Sequence, residues 1–215
     1  MTILAGMAVF TGNDKGYVFI AADSKKIVED VIIDNNGDIV SRHNKVVIEN
    51  DIKVHNIENM ILIGTAGSLI SRYGEDDLLD VIVDFISSTL KTDKDLISIS
   101  NKVFDFIADN MAKDSHCDVI LGGFINNQPS LTTFKVISGK LEKELKVLTS
   151  NHKNCYSLLT HGIEGQIKIQ FENEIARMEP TNQNGIIKSV FHYIKESAKL
   201  SPETCNQIVR CTVLD

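Results

Sequence analysis

The sequence predicts an α+β fold in which two antiparallel sheets pack face to face and helix pairs cover their outer faces, giving a four-layer α-β-β-α sandwich. Two observations lead to this prediction. Blocks of short apolar or β-branched strands are followed by pairs of amphipathic helices, and this order occurs twice along the 215 residues. Elements grouped in this way form separate layers. Because no linker rich in Pro or Ser interrupts the chain, we expect a single domain over residues 1–215.

The first third of the chain has the patterning of strands. Short apolar runs are separated by turn clusters at residues 11–16, 35–38 and 49–51. The predicted strands cover residues 3–10, 17–22, 31–33, 38–41, 45–48 and 60–65. The Asn-Asn-Gly sequence at 35–37 is typical of a hairpin turn, so we expect the segment 25–51 to add a hairpin near the functional site.

Helical periodicity begins after residue 68. Apolar residues recur at helical spacing over 78–86 and again over 96–111, which predicts the first helix pair. Strand patterning returns at residues 119–125, 131–136, 144–148 and 156–159, with turns at 126–129 and 138–139. A second helix pair is predicted over 163–178 and 186–198, followed by a last strand near 208–214.

Composition excludes several classes of function. The net charge of -7 argues against nucleic acid or an anionic membrane surface as a partner, since both require clustered Lys and Arg. No apolar run reaches membrane-spanning length and no secretory signal pattern is present, so we expect a cytoplasmic protein. The four cysteines, Cys117, Cys155, Cys205 and Cys211, form no Cys-x-x-Cys pair. We expect buried, reduced thiols and neither a metal site nor a cofactor.

Six short stretches are similar, in their order along the chain, to one protein family. They are TILAG (2–6), GYVFIAADS (16–24), KVHNI (53–57), ILIGTAGS (61–68), DVILGGF (118–124) and SPET (201–204). The set resembles proteasome β-type subunits and their bacterial relatives, which are N-terminal-nucleophile (Ntn) hydrolases. The resemblance spans essentially the whole chain and implies the Ntn hydrolase form of the four-layer sandwich.

The resemblance implies a threonine nucleophile at Thr2. Its own α-amine would act as the base, because an unperturbed α-amine titrates near neutral pH. The small side chain at position 2 should permit removal of Met1, which would free that amine. A shift of one residue in the opening strand would instead place Met1 opposite the nucleophile. The implied reaction is hydrolysis of a peptide bond through an acyl-Thr2 ester.

Four further positions match the family's catalytic residues. Asp23 resembles the carboxylate beside the nucleophile, and Lys53 resembles the ammonium that holds the threonine hydroxyl and lowers its pKa. Gly67 resembles the residue whose backbone N–H donates to the oxyanion of the tetrahedral intermediate. Thr204 matches a hydroxyl-bearing position after the last helix.

Two supporting positions depart from the family pattern and leave three functions open. His161 stands where the family has a serine, and Ser201 stands where it has an aspartate. A histidine at that place could serve as an additional base. The first function is a threonine peptidase acting on peptides or unfolded proteins within a ring-like homo-oligomer, with or without an unfolding ATPase. The second is a non-catalytic structural or binding subunit, and the third is an Ntn amidase acting on a small molecule.

Overall fold

The protein has an α+β fold. The computed structural model describes residues 2–13, 15–68, 70–73, 78–113, 115–137 and 144–215, with the backbone alone described at 28–30 and 42–45. The turn expected at 138–139 lies outside the described residues. The strands are β1 (Leu4–Gly12), β2 (Lys15–Asp23), β3 (Lys26–Ile33), β4 (Ile39–Ile48), β5 (Val54–Ile57), β6 (Ile61–Gly67), β7 (His116–Ile125), β8 (Gln128–Ile137), β9 (Lys146–Thr149), β10 (Tyr156–His161) and β11 (Val209–Leu214). The helices are α1 (Leu78–Thr89), α2 (Leu96–Asn110), α3 (Gly165–Ile175) and α4 (Gln183–Lys199).

The first sheet contains the two strands from the start of the chain. Its order is β10-β1-β2-β11, and all neighbouring strands are antiparallel. Leu4 of β1 lies opposite Ala22 of β2 on one side and opposite His161 of β10 on the other. This register brings the beginning of β1, the end of β2 and the end of β10 to the same end of the sheet.

The second sheet has the order β5-β6-β7-β8-β9 and is also antiparallel. Asn126 and Asn127, with φ of 50° and 61°, form the two-residue turn between β7 and β8. Two positive φ angles are the geometry of a type I′ turn, which asparagine tolerates better than most residues. Gly67 of β6 and Cys117 of β7 face each other at the end of this strand pair.

Strands β3 and β4 form a separate two-stranded sheet. The predicted hairpin is confirmed, and Asp34 organises its turn by accepting hydrogen bonds from the N–H groups of Asn36 (2.8 Å) and Asp38 (2.9 Å). The prediction of three separate strands at 31–33, 38–41 and 45–48 was wrong. Charged residues at 26, 29 and 30 hid the first half of β3, and the cross-strand pairing joins the two later runs into one strand.

Within the described part of the chain, buried apolar side chains form three clusters. The first joins the second sheet to α1 and α2, with Val119 and Ile82 among its members. The second joins the first sheet to α3 and α4, with Phe19 and Phe171 among its members. The third lies between the two sheets and includes Leu4, Ile20, Leu62 and Ile120. These clusters therefore join each of the two larger sheets to one helix pair and join those two sheets to each other.

The described helices and thiols refine two further expectations. None of the helices within the described ranges has the length and apolar character needed to cross a membrane. The four cysteines are free thiols, but only Cys117 and Cys205 are buried. Cys155 and Cys211 are half-buried, because Cys155 lies just before β10 and Cys211 lies on the edge strand β11. The expectation that all four are buried was therefore wrong for these two.

Candidate functional site

Three of the predicted site residues meet where the two sheets come together. The Lys53 Nζ atom donates a hydrogen bond to Thr2 Oγ1 at 3.2 Å. The same atom lies 3.3 Å from Asp23 Oδ1 and 3.2 Å from Asp23 Oδ2. The ammonium is therefore placed between a hydroxyl just before β1 and a carboxylate at the end of β2, the neighbouring strand of the first sheet.

These three side chains are almost completely removed from solvent. The exposed fraction is 8% for Thr2, 1% for Asp23 and 7% for Lys53. Burial lowers the pKa of Lys53 below its ordinary value, because the charged form loses its hydration; the Asp23 carboxylate opposes this effect by charge and hydrogen bonding. An ammonium with a lowered pKa is a stronger acid than an exposed lysine and can hold or release a proton more readily.

The Asp23 carboxylate is fully engaged with donors. In addition to Lys53, Oδ1 accepts a hydrogen bond from the Ile3 N–H at 2.7 Å, and Oδ2 accepts one from the Lys25 N–H at 3.1 Å. A buried carboxylate is tolerated when a cation and hydrogen-bond donors satisfy its oxygens. The bond to Ile3 also ties the carboxylate to the residue directly after Thr2.

The strand register explains why residues distant in sequence meet here. Thr2 precedes β1, and Asp23 ends β2, where its N–H donates to the Ile3 carbonyl at 3.1 Å. Lys53 precedes β5 in the second sheet, and its carbonyl accepts from the Thr65 N–H at 3.4 Å. The site is therefore built from both sheets, with the nucleophile candidate on one and the ammonium on the other.

A hydrogen-bond network behind Asp23 holds the strand end in place. Ser24 Oγ donates to the Glu49 carbonyl at 3.0 Å, and the Ser24 N–H donates to Asn206 Oδ1 at 3.2 Å. The Asp51 N–H in turn donates to the Ser24 carbonyl at 2.8 Å. Asn206 was not predicted as part of the site, since a single asparagine in a loop carries no signal of its own.

Gly67 lies at the exposed end of β6, with a φ of +112°. A Cβ atom built there would lie 2.5 Å from the His116 carbonyl oxygen. Both the backbone conformation and this close approach require glycine. The neighbouring Ser68 N–H donates to the same carbonyl at 2.8 Å, which fixes the chain as it leaves the strand.

Thr204 is not in hydrogen-bond contact with the Lys53 cluster among its described interactions. Its Oγ1 lies 3.5 Å from the Ser201 carbonyl and 3.8 Å from Cys205 Sγ, so its bonds stay within the turn after α4. Cys205 connects this turn to the site. Burial raises the pKa of the Cys205 thiol, the Asp23 charge raises it further, and the Lys53 charge opposes them.

A second pair of ionisable residues lies beside Thr2. His161 ends β10, and its Nδ1 lies 3.1 Å from Asp118 Oδ2 on β7 of the other sheet. The next residue, Gly162, has a φ of +73°, and a Cβ there would lie 2.8 Å from the Thr2 carbonyl oxygen. His161 was recognised from the sequence as a departure from the family pattern, but Asp118 was missed, because the two residues meet only across the two sheets.

Two further features of the described residues lie apart from the Lys53 cluster or bear on metal binding. In the described ranges, no group of three or more His, Cys, Asp or Glu side chains is arranged to hold a metal ion. An open hollow of about 470 Å³ lies on the helices and contains none of the predicted site residues. It is lined by Gln170, Asn173, Glu174, Arg177, Met178 and Tyr193.

Comparison of the chain with models of protein families and with curated proteins finds no match to either.

Proposed function

We propose that this protein is a threonine-type Ntn hydrolase similar to proteasome β-type subunits, and that it cleaves peptide bonds with Thr2 after removal of Met1. Met1 lies outside the described residues, so its removal belongs to the proposal. The proposal retains a cytoplasmic location, a ring-like homo-oligomer, and peptides or unfolded proteins as the substrate class. No cofactor takes part in the proposed reaction.

The hydrogen bond from Lys53 Nζ to Thr2 Oγ1 is the observation that carries the proposal. A threonine hydroxyl is a weak nucleophile unless a positive charge lowers its pKa or a base removes its proton. Lys53 supplies the charge, and a free α-amine on Thr2 would supply the base. Asp23 keeps Lys53 in place through contacts at 3.2 and 3.3 Å.

The reaction would proceed through an ester of Thr2. Thr2 Oγ1 attacks the carbonyl carbon of the peptide bond, and the α-amine takes the hydroxyl proton and passes it to the leaving amine. The backbone N–H of Gly67 would donate to the oxyanion. Water then attacks the ester carbon, the bond between that carbon and Thr2 Oγ1 breaks, and the hydroxyl regains a proton.

The arrangement of the three apolar clusters supports the four-layer α-β-β-α sandwich as part of this proposal. Apolar clusters join each larger sheet to a helix pair and join the two larger sheets to each other, which are the contacts that a four-layer sandwich would require. The resemblance implies a nucleophile at the very start of the processed chain. Thr2 lies two residues before the start of β1, which is an inner strand of its sheet.

One observation favours a non-catalytic subunit as the second candidate. The hydrogen bonds of Thr204 stay within its own turn, and Ser201 supplies that turn with a backbone carbonyl. His161 and Ser201 in turn stand where the family has a serine and an aspartate. A subunit that uses the Lys53 cluster only to stabilise its fold would have these features.

The test is the intact mass of the purified protein before and after incubation with a threonine-directed electrophile such as an epoxyketone. We expect loss of the Met1 mass and one adduct on Thr2. The adduct should be absent from Thr2→Ala and present on Thr92→Ala, which removes an exposed hydroxyl from the turn after α1. Retained Met1 together with no adduct would favour the non-catalytic subunit.

A further inference from the structure

His161 and Asp118 form a pair that joins the two sheets next to Thr2. His161 lies opposite Leu4 on β1, while Asp118 lies opposite Ala66 and next to the position that faces Gly67. Gly162 follows His161 and approaches the Thr2 carbonyl so closely that a Cβ atom would not fit. The pair is therefore next to both the nucleophile candidate and the strand end that carries Gly67.

The His161 and Thr2 side chains point from the first sheet toward the second. The contact of His161 with Asp118 on β7 shows this direction for the imidazole, and the contact of Thr2 with Lys53 shows it for the hydroxyl. Residues diagonal to each other on one face of an antiparallel pair lie roughly 7–8 Å apart, within reach of an aromatic side chain. Thr2 lies two residues before Leu4, the partner of His161, so the register places the imidazole and the hydroxyl diagonally to each other on the same face.

The two ring nitrogens of His161 have different surroundings. Nδ1 faces the Asp118 carboxylate at 3.1 Å, which favours the tautomer with its proton on Nδ1. Nε2 is then the nitrogen that accepts a proton, on the side of the ring away from Asp118. A carboxylate that orients an imidazole in this way is the arrangement by which histidine serves as a base toward a hydroxyl or water.

We propose that His161 is the general base of ester hydrolysis and that Asp118 is its positioning residue, an inference that rests on the proposed function. As water attacks the acyl carbon of the Thr2 ester, Nε2 takes a proton from that water. The bond between the acyl carbon and Thr2 Oγ1 then breaks, and Nε2 returns the proton to Oγ1. The free acid, the threonine hydroxyl and the neutral imidazole are regenerated, so no further reactant is needed.

A purely structural role explains the pair less well. The side chains of His161 and Asp118 are 33% and 23% exposed, and ion pairs that water reaches contribute little to stability. Partial exposure is what a base needs if it must meet water from solvent. The deeply buried Lys53 and Asp23 do not have that access.

The experiment separates ester formation from ester hydrolysis in His161→Gln. We expect an unchanged rate of covalent labelling of Thr2 by an epoxyketone, since labelling requires no water. The kcat for a fluorogenic peptide should fall by about 100-fold, a typical contribution of a general base. Intact mass should show an accumulated acyl adduct on Thr2 during turnover. Asp118→Asn should change kcat in the same direction, and His192→Gln, on the exposed side of α4, should leave it unchanged.

A rescue experiment distinguishes the base from a structural residue. Added imidazole should restore part of the kcat of His161→Ala without altering its labelling rate. If His161→Gln labels and turns over as the unmodified protein does, the role of His161 is refuted while the role of Thr2 stands. If the unmodified protein is neither labelled nor active, both proposals are refuted.

Discussion

Lys53 contacts both other members of the buried cluster, Thr2 and Asp23. Replacing it by Met keeps the length of the side chain but leaves the Asp23 carboxylate buried without its cation. Loss of one partner from a buried ion pair typically costs 3–5 kcal/mol, so we expect the free energy of unfolding to fall by about 4 kcal/mol. Urea denaturation measures this change, and labelling of Thr2 should be lost.

Lys113→Met is the matched control for this prediction. Its Nζ lies 3.0 Å from Asp38 Oδ2, but the two side chains are 48% and 44% exposed. An exposed ion pair of this kind contributes about 0–1 kcal/mol. Equal losses in the two variants would contradict a buried, desolvated Lys53.

The lowered pKa of Asp118 predicts that stability depends on pH. Burial raises the pKa of Asp118, but hydrogen bonding and charge from His161, with the charges of Lys135 and His116, outweigh burial and hold it below its ordinary value. As the pH falls below about 4, the unfolded chain therefore binds more protons than the folded chain. The stabilisation is present above that pH and is lost as the pH falls toward the lower pKa that Asp118 has in the folded protein.

The difference between the unmodified protein and Asp118→Asn isolates this effect. We expect the unmodified protein to be more stable by up to about 1 kcal/mol at near-neutral pH, because the pair is partly exposed. The gap should close in the acid range. Chemical denaturation at a series of pH values provides the measurement, and a gap that does not change with pH would show that the ionisation of Asp118 is not involved.

Sequence resemblance identified the three residues that the structure brings together, but it did not identify their surroundings. Thr2, Asp23 and Lys53 lie in stretches that match a family pattern, so their proximity could be expected from the sequence. Asn206 lies outside these stretches, and Asp118 lies within one of them but was assigned no role in the site. Their partners are far away in the chain, and only the strand registers show which residues meet.

At the scale of elements, long amphipathic segments were predicted more accurately than charged strands. The four helices appear where the apolar periodicity placed them. The hairpin of β3 and β4 was recognised from its turn, but its length was not, because charged residues interrupt the alternation on a sheet with little burial. Cross-strand hydrogen bonds, which the sequence does not display, determine where such strands begin and end.

The end of β6 provides a prediction at this scale. Gly67→Ala combines a positive φ of +112° with a contact of 2.5 Å to the His116 carbonyl, which is backbone and cannot easily move. We expect a loss of about 3 kcal/mol in the free energy of unfolding, from backbone strain and overpacking together. Under the proposed function, kcat should also fall, because the N–H of residue 67 would shift.

Gly12→Ala is the control for the cost of backbone strain alone. Gly12 has a φ of +98°, but a Cβ there would meet no atom of the described residues within 4 Å. This variant should lose only about 1 kcal/mol. Thermal or urea denaturation of both variants gives the comparison, and a Gly12→Ala loss as large as that of Gly67→Ala would show that the contact with His116 contributes nothing.

At the scale of the whole molecule, glycines allow the two sheets to approach each other closely. A Cβ atom at Gly64 would lie 2.7 Å from Ile20, one at Gly122 would lie 2.6 Å from Val18, and one at Gly6 would lie 2.9 Å from Ile120. In each pair the two residues belong to different sheets. The same approach brings Lys53 of the second sheet within hydrogen-bond distance of Thr2 of the first.

Gly64→Ala tests whether the distance between the sheets sets the geometry of the site. Gly64 is the cross-strand partner of Val54, the residue after Lys53. An added methyl would meet the Ile20 Cγ2 atom, which is bonded to Cβ and therefore cannot move far from the backbone. We expect the sheets to move apart locally, at a cost of about 1–3 kcal/mol. The contact between Lys53 and Thr2 should lengthen, so the rate of Thr2 labelling should fall even under conditions in which the variant remains folded. Gly165 also has a positive φ, but a Cβ there would meet no atom of the described residues within 4 Å. Gly165→Ala is therefore the control in which stability falls and the labelling rate does not. If Gly64→Ala is destabilised to the same extent as Gly165→Ala and is labelled at the same rate, sheet spacing does not position Lys53.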